Sequence, residues 1–283
     1  MNKKKIGILL PFKDNFTNSK AGSASIWVKD FNKKSRFRDN IKVCGNTEDL
    51  DDLIDKKRYL NIKFPFSSFK SKNIMYVDQF IKLNSKHNFD LIEVHNRPSY
   101  IRYLYKEKID LKFVLIFHNN PLNLGGSRSA DERNFLINKC EKIIFVSNWV
   151  KEKFFEGLDK QNHSKCITIY PSVDKIKKFP RKNNIISFVG KLNRSKGFHI
   201  FGSAIIKILN KYTDWNAIVV GDEPREKYNF KHKNLKYMGW LSHKKTLQLY
   251  NKTSISVVPS FWDEPFGRTA MESASQGCAT IIS

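Results

Sequence analysis

Long apolar runs, cysteine and acidic residues are all scarce in this sequence. No stretch approaches the roughly eighteen apolar residues that a membrane-spanning helix needs, so a transmembrane protein is not expected. The four cysteines, Cys44, Cys140, Cys166 and Cys278, are far apart and form no C-x-x-C pair. They predict neither a zinc site nor a disulfide framework. No small-residue cleavage site follows the apolar run at residues 6–10, which favours a first core strand and a cytoplasmic protein.

The shortage of acidic residues gives the chain a strong positive charge. Its 51 lysines and arginines outnumber 27 aspartates and glutamates, for a formal net charge of +24 at pH 7. Such a charge is typical of proteins that bind nucleic acids or anionic membranes. Here the excess is spread along the chain, and the aromatic residues do not interleave with it as in a nucleic-acid-binding module. We expect no nucleic-acid partner, and peripheral contact with the anionic inner face of the cytoplasmic membrane stays open.

What the sequence does contain is an alternation of short apolar runs with amphipathic stretches, which predicts a parallel α/β protein. In the first part we predict strands at 5–11, 41–45, 91–95, 113–117, 142–146 and 167–170, and helices at 23–34, 76–86 and 129–140. The second part restarts the pattern, with strands at 185–189, 215–221 and 255–258 and helices at 198–211, 242–252 and 268–276. A lysine-rich stretch without periodicity separates the two parts. We therefore predict two domains, 1–172 and 182–283, joined by a linker at 173–181.

The stretch at residues 259–283, PSFWDEPFGRTAMESASQGCATIIS, joins a strand end, an acidic loop, a glycine and a helix start. The backbone N–H groups and positive dipole end at such a helix N-terminus favour an anion. In open α/β sheets, ligands bind beyond the carboxyl ends of the strands. Glu264 lies in the loop and Glu272 one turn inside the helix, so we expect both to point into one site. The sequence predicts a phosphate site here.

Part of this stretch, EPFGRTAMESASQGCATIIS, resembles the signature of the GT-B glycosyltransferases of family 4 (group 1). Further matches lie in GKLNRSKG, VVGDEP, YMGWLS and FHNNP, and EVHNRP is similar to a form found in lipopolysaccharide-core transferases. The resemblance implies an α/β GT-B fold, in which two Rossmann-like domains face each other across a cleft. It implies transfer of a sugar from a nucleotide-diphosphate-sugar donor to a cell-envelope saccharide or lipid-linked acceptor. It further implies a reaction that retains anomeric configuration and needs no metal or other cofactor.

The resemblance also implies roles for residues of the donor domain. Lys191 and Lys196 would stabilise the departing diphosphate, although Lys191 stands where the family usually has arginine. Glu272 would hydrogen-bond the ribose and Glu264 the sugar hydroxyls, and the choice between front-face transfer and a covalent intermediate on Glu264 stays open. Further donor-binding positions are Gly22 of the first domain and, in the donor domain, Gly190, Arg194, Met238, Phe266, Gly267, Arg268 and Thr269.

In the first domain, polar clusters follow two predicted strands, where open α/β sheets bind ligands. His118 in FHNNP matches the family histidine that approaches the donor sugar, so the resemblance implies that it orients this sugar during catalysis. His95 and Arg97 in EVHNRP are predicted to lie on the acceptor side. Gly22 follows Ala21, where the family usually has a pair of glycines.

Members of the family continue beyond the strand at which this sequence ends. We therefore expect an incomplete second domain with an apolar edge strand, self-association and weak transfer. An inactive or partial sugar-nucleotide-binding fragment is the main alternative. A GT-B sugar-nucleotide epimerase shares the architecture but lacks the GRTAME context.

Overall fold

The computed structural model divides into two compact units, Met1–Pro171 and Ser172–Ser283. It describes residues 4–63, 70–109, 111–174, 176 and 178–283. Residues 175 and 177 of the predicted linker lie outside the described residues. Within the described parts of the chain, no helix is long and apolar enough to cross a bilayer.

The first unit is a seven-stranded parallel sheet flanked by helices. Its strands are β1 Ile6–Leu9, β2 Ile41–Gly45, β3 Tyr59–Asn61, β4 Leu91–His95, β5 Lys112–Phe117, β6 Cys140–Phe145 and β7 Cys166–Thr168. Its helices are α1 Ser23–Lys34, α2 Lys72–His87, α3 Pro98–Lys106, α4 Ala130–Lys139 and α5 Asn148–Phe155. The strand order β3-β2-β1-β4-β5-β6-β7 reverses between β1 and β4. Ligands of such sheets bind at the carboxyl edge beside this reversal.

Helix α1 covers the sheet of the first unit. Trp27 and Val28 are buried in a cluster with Ile8 of β1 and Ile116 of β5, the two strands that flank β4. Burying a side chain of this size stabilises the fold by about 1.5–3 kcal/mol. The packing fixes α1 over the carboxyl ends of the central strands.

The second unit is a five-stranded parallel sheet in the order β10-β9-β8-β11-β12. Its strands are β8 Asn183–Val189, β9 Asn216–Val220, β10 Leu235–Tyr237, β11 Thr253–Val258 and β12 Ala279–Ile282, and its helices are α6 Phe198–Lys211, α7 His243–Lys252 and α8 Arg268–Ser275. Phe188, Phe198 and Phe201 lie at the centre of its core. The order reverses between β8 and β11, so the loops after these two strands lie at the same edge. At the sheet edge, Ile281 and Ile282 of β12 are exposed.

The structure confirms the predicted bounds of α1, β2, β4 and α6, and corrects other predictions. Helix α3 was not predicted because it begins with proline, a residue that usually ends a helix. Helices nevertheless accept proline as their first residue, since no N–H is needed there. Strands β3 and β10 are only three residues long, too short to show a periodicity. Helix α2 is longer than predicted because Ser71 caps it, accepting a hydrogen bond from the Ile74 backbone.

Candidate active site

Two loops of the second unit meet at the reversal of the strand order. One follows β8 (residues 190–197), and the other follows β11 (residues 259–267). The Phe261 N–H donates to the Ser195 carbonyl oxygen at 2.8 Å. Gly197 has φ +70°, and a Cβ atom there would lie 1.7 Å from the Pro259 oxygen. Only glycine fits this approach, and it brings the two loops into direct backbone contact.

An ion pair between Lys196 and Glu264 joins these loops. The Lys196 ammonium contacts Glu264 Oε1, and the Ser260 hydroxyl donates to the same oxygen at 2.8 Å. Lys196 Nζ also lies 4.7 Å from the centre of the Trp262 ring. Burial acts to raise the pKa of Glu264, but hydrogen bonds and the Lys196 charge outweigh it and hold the pKa below its ordinary value. The group is therefore a carboxylate at neutral pH, able to accept hydrogen bonds from hydroxyl groups.

A second carboxylate, Glu272, lies on α8 and is only 6% exposed. Its Oε1 accepts a hydrogen bond from Arg268 Nε at 2.6 Å and lies 2.9 Å from His243 Nε2. Burial acts to raise the pKa of Glu272. The His243 hydrogen bond and the Arg268 charge act in the opposite direction and outweigh burial, so that the pKa lies below its ordinary value. Helix α8 follows Gly267, whose φ of +69° is left-handed, and no side chain caps that end. The arrangement leaves a charged acceptor beside a helix N-terminus.

The structure thus joins Lys196 to Glu264 and Arg268 to Glu272, pairings that the sequence did not reveal. The i,i+4 spacing of Arg268 and Glu272 on one helix face was a signal for the second pair. His243, the first residue of α7, was missed, and no pattern in the sequence marks it.

The other predicted donor-binding residues of this unit lie on the two loops or close to them in the sequence. Lys191 and Arg194 are exposed on the loop after β8. The Gly190 N–H donates to the Val220 oxygen, and the Met238 N–H to the Val219 oxygen. Phe266 and Thr269 are half-buried on either side of Gly267.

In the first unit, the α1 end beside Gly22 is covered by Asp14. Asp14 Oδ1 accepts a hydrogen bond from the Ser25 hydroxyl at 2.7 Å, and a Cβ atom at Gly22 would lie 2.9 Å from the same oxygen. Burial raises the pKa of Asp14, and the Ser25 hydrogen bond only partly offsets this. A carboxyl group therefore occupies the helix end at which the resemblance implied a donor contact.

His118 follows β5, and its ring contacts the ring of His95. His95 Nδ1 lies 2.9 Å from His118 Nε2, and His95 Nε2 lies 2.7 Å from Glu93 Oε1. His95 is fully buried, whereas His118 is 9% exposed. His95 therefore contacts His118 instead of solvent, and its other ring nitrogen contacts Glu93, a residue that was not predicted from the sequence. The signal for it was the alternation E-V-H, which puts Glu93 and His95 on one strand face.

Asn96 ties the loops after β4 and β5 together. Its side-chain oxygen accepts hydrogen bonds from the backbone N–H groups of His118 and Asn119, both at 3.2 Å. Arg97 Nη1 donates to the Asn96 carbonyl at 2.9 Å. The HNR segment thus supports the backbone that carries His118.

Two family models match this chain, one after the other. The model described as Glycosyltransferase Family 4 matches residues 42–175, and the model described as Glycosyl transferases group 1 matches residues 171–283. The chain belongs to the family 4, group 1 glycosyltransferases. Spore coat protein SA of Bacillus subtilis (strain 168) is 26% identical to this chain in an alignment of 230 positions, which covers 70% of the chain and 60% of that protein.

An uncharacterized Bacillus subtilis glycosyltransferase, YqgM, is likewise 26% identical over 71% of the chain and 60% of its own length. The chain therefore spans less than two thirds of the length of these curated relatives.

Solved structures of low identity share the fold of this family member. Anabaena Alr3699/HepE in complex with UDP-glucose aligns with a TM-score of 0.73 at 17% identity, covering 98% of the chain and 80% of that structure. A glycosyltransferase from Rickettsia africae ESF-5 aligns with a TM-score of 0.68 at 18% identity, covering 100% and 79%. The fold is GT-B, with two Rossmann-like units. Among the described residues, no group of three or more His, Cys, Asp or Glu side chains could hold a metal ion.

Proposed function

We propose that this chain binds a nucleotide-diphosphate sugar at the loops after β8 and β11 and transfers the sugar to an acceptor hydroxyl. The observation that carries the proposal is the contact of Lys196 with Glu264 beside the N-terminus of α8. A cation, a carboxylate and a helix N-terminus provide what a diphosphate and a sugar require: positive charge for the phosphates and an acceptor for hydroxyl groups.

The chemistry requires stabilisation of the diphosphate as its bond to the anomeric carbon breaks. Lys196 is the cation closest to the carboxylate in this site, and Lys191 adds charge on the same loop. Fixed positive charge of this kind acts where negative charge develops in the transition state. Glu264 would accept hydrogen bonds from the sugar, and Glu272 from the ribose, while Arg268 and His243 hold the Glu272 carboxylate in place.

UDP-glucose is the first donor to test, because the structurally similar HepE was solved with it. We further propose that the reaction retains anomeric configuration, requires no metal, and uses a cell-envelope saccharide or lipid-linked acceptor. We propose that the protein acts in the cytoplasm, where its +24 charge would favour contact with an anionic membrane surface.

The test is a panel of nucleotide sugars incubated with the purified full chain, followed by mass spectrometry of released nucleoside diphosphate and product. We expect release with one donor class, unchanged by EDTA, and binding of the matching nucleoside diphosphate by calorimetry. Random RNA at about 150 mM salt is the contrasting ligand, because binding driven by charge alone weakens steeply with salt. Tight RNA binding without nucleotide binding would replace the proposal with a nucleic-acid function.

A further inference from the structure

Trp262 contacts both members of the ion pair between Lys196 and Glu264. Its ring centre lies 4.7 Å from Lys196 Nζ, within the range at which the negative face of an aromatic ring attracts a cation. A hydrogen bond from Trp262 is among the causes that lower the pKa of Glu264. The indole N–H is the hydrogen-bond donor of a tryptophan side chain, so this group serves the carboxylate. One side chain thus acts on the cation through its ring face and on the carboxylate through its N–H.

The backbone contact between the two loops explains why Trp262 meets Lys196. The Phe261 N–H donates to the Ser195 carbonyl oxygen at 2.8 Å, and Trp262 and Lys196 are the next residues of their loops. The Phe261 ring lies 5.3 Å from the ring of His199 on α6, so Phe261 packs on that helix. The position of Trp262 is therefore set by the contact between the loops and not by the ion pair alone.

The ion pair and its tryptophan are within reach of a ligand. The Lys196 and Glu264 side chains are 26% and 24% exposed, and Trp262 is 43% exposed. Full burial would have kept a ligand away from both charged groups. A ligand that binds at the ion pair therefore meets the indole as well.

A lysine must be held in place if it is to act as a fixed charge. Its ammonium ends a flexible four-carbon stem, so holding it in one position costs side-chain entropy. Glu264 holds Lys196, but in the proposed function this carboxylate accepts hydrogen bonds from the sugar. The negative ring face of Trp262 attracts the ammonium and not the anionic phosphates, so a diphosphate does not compete for this contact. The ring can thus hold Lys196 while the carboxylate takes up other partners.

We propose that Trp262 is a positioning residue for the diphosphate: its ring holds the Lys196 ammonium in the site while Glu264 accepts hydrogen bonds from the sugar. The proposal rests on the transferase function proposed above. It assigns Trp262 a role through Lys196, so loss of the Trp262 ring should have little effect once Lys196 is absent.

The first test is NMR of the full chain with its lysine ε-carbons labelled with ¹³C, in which Lys196→Ala identifies the Lys196 signal. Protons above the face of an aromatic ring resonate upfield, so the Lys196 ε-protons are expected to be displaced upfield. Trp262→Phe should keep part of this displacement because a smaller ring remains, and Trp262→Leu should abolish it. Trp149→Leu is the matched control, since the Trp149 ring centre lies 6.0 Å from Lys153 Nζ in the first unit. A Lys196 signal at the same position in wild type and Trp262→Leu overturns the proposal.

The second test is binding of inorganic pyrophosphate, which carries the charge of a diphosphate without a base or a sugar. It is titrated at about 0.15 M salt, which screens unspecific attraction to exposed lysines, while the Lys196 signal is followed. The concentration at half-saturation is expected to rise about tenfold in Trp262→Leu, within the range that a contact between tryptophan and a cation supplies. It should be unchanged in Trp149→Leu. Equal half-saturation in wild type and Trp262→Leu, or no saturable shift of the wild-type signal, overturns the proposal.

A double-mutant cycle distinguishes positioning of Lys196 from packing of the loop. For transfer, we expect kcat/KM to fall about tenfold in Trp262→Leu and by less in Trp262→Phe, because phenylalanine retains a ring face. In the Lys196→Ala background, Trp262→Leu should change kcat/KM by less than about twofold. Losses that multiply in the double variant would show that Trp262 acts independently of Lys196 and would overturn the proposal.

Binding and transfer together separate this proposal from the function on which it rests. If no donor is transferred, but the NMR displacement and the weaker pyrophosphate binding of Trp262→Leu are found, the role of Trp262 is supported and the transferase function is refuted. If transfer occurs and the two losses multiply, the transferase function stands and the role of Trp262 is refuted.

Discussion

The two units hold their carboxylates in different ways. In the first unit, Glu93 and His95 come from a single strand, and the register of the sheet fixes their contact with His118. In the second, Glu264 and Lys196 come from different loops and meet only because those loops touch. A contact made within a sheet cannot rearrange without disturbing the strands, whereas a contact between loops can be exchanged for a ligand. The first arrangement is suited to orienting a group, and the second to binding one.

The largest effect is expected from Lys196→Ala, which removes the cation of the loop pair. We expect transfer to fall about 100-fold, the usual cost of losing a group that stabilises developing negative charge. Lys191→Ala should also slow transfer, but less, because Lys191 is exposed. Turnover is the measurement, with exposed Lys244→Ala as the control. If neither lysine variant were slower than this control, the phosphate role of the loop would be wrong.

Glu272→Ala tests the helix carboxylate of the same unit. We expect nucleoside-diphosphate affinity to fall by about 1–3 kcal/mol, the loss that follows removal of a charged hydrogen-bond acceptor. Calorimetry measures it, with circular dichroism to show that the fold persists, since Arg268 and His243 lose their common partner. Full affinity in a folded variant would contradict the ribose role.

His118→Ala tests the first-unit arrangement of Glu93, His95 and His118. We expect transfer to slow by about tenfold or more, as for loss of a positioned imidazole. Affinity for the nucleoside diphosphate should stay within about twofold, because the proposed donor-binding groups of the second unit are intact. Parallel measurement of kcat and calorimetric affinity checks this. An equal loss of both would remove the functional distinction between the units.

The smallest effect is expected on the stability of the fold as the pH falls. Glu264 and Glu272 have folded-state pKa values below their ordinary 4.5, so their ionised forms stabilise the fold above about pH 4.5. This stabilisation is lost as the pH falls through the lower folded values, and it amounts to about 1.4 kcal/mol per pKa unit. Urea unfolding between pH 6 and 3 should show a shallower pH dependence for Glu272→Gln than for the wild type. Identical slopes would mean that the shift is absent.

The sequence predicted the elements whose ends carry strong local signals. Helix α1 begins after Gly22, and the second-unit helix α6 begins after Gly197, and both bounds agree with the structure. The three-residue strands β3 and β10 were not predicted, because they are defined by pairing with β2 and β9 and are too short to show a periodicity of their own.

The candidate site was predictable as a set of residues but not as a set of contacts. Lys196 and Glu264 were each named, yet their pairing depends on a loop contact separated by many residues in the chain. Glu93 was missed because a single glutamate in a strand has the same pattern as a solvent-facing one. His243 was missed because its role arises from the packing of α7 beside α8, which local sequence does not encode.

The backbone contact at Gly197 has a consequence for redesign of the proposed donor site. Because any side chain at Gly197 would collide with the Pro259 carbonyl, the loops after β8 and β11 leave no room for a change in one of them alone. Lengthening or replacing either loop alone would push the other away and separate the lysine from its carboxylate. A graft from a relative into the proposed donor site should therefore carry residues 190–197 and 259–267 together.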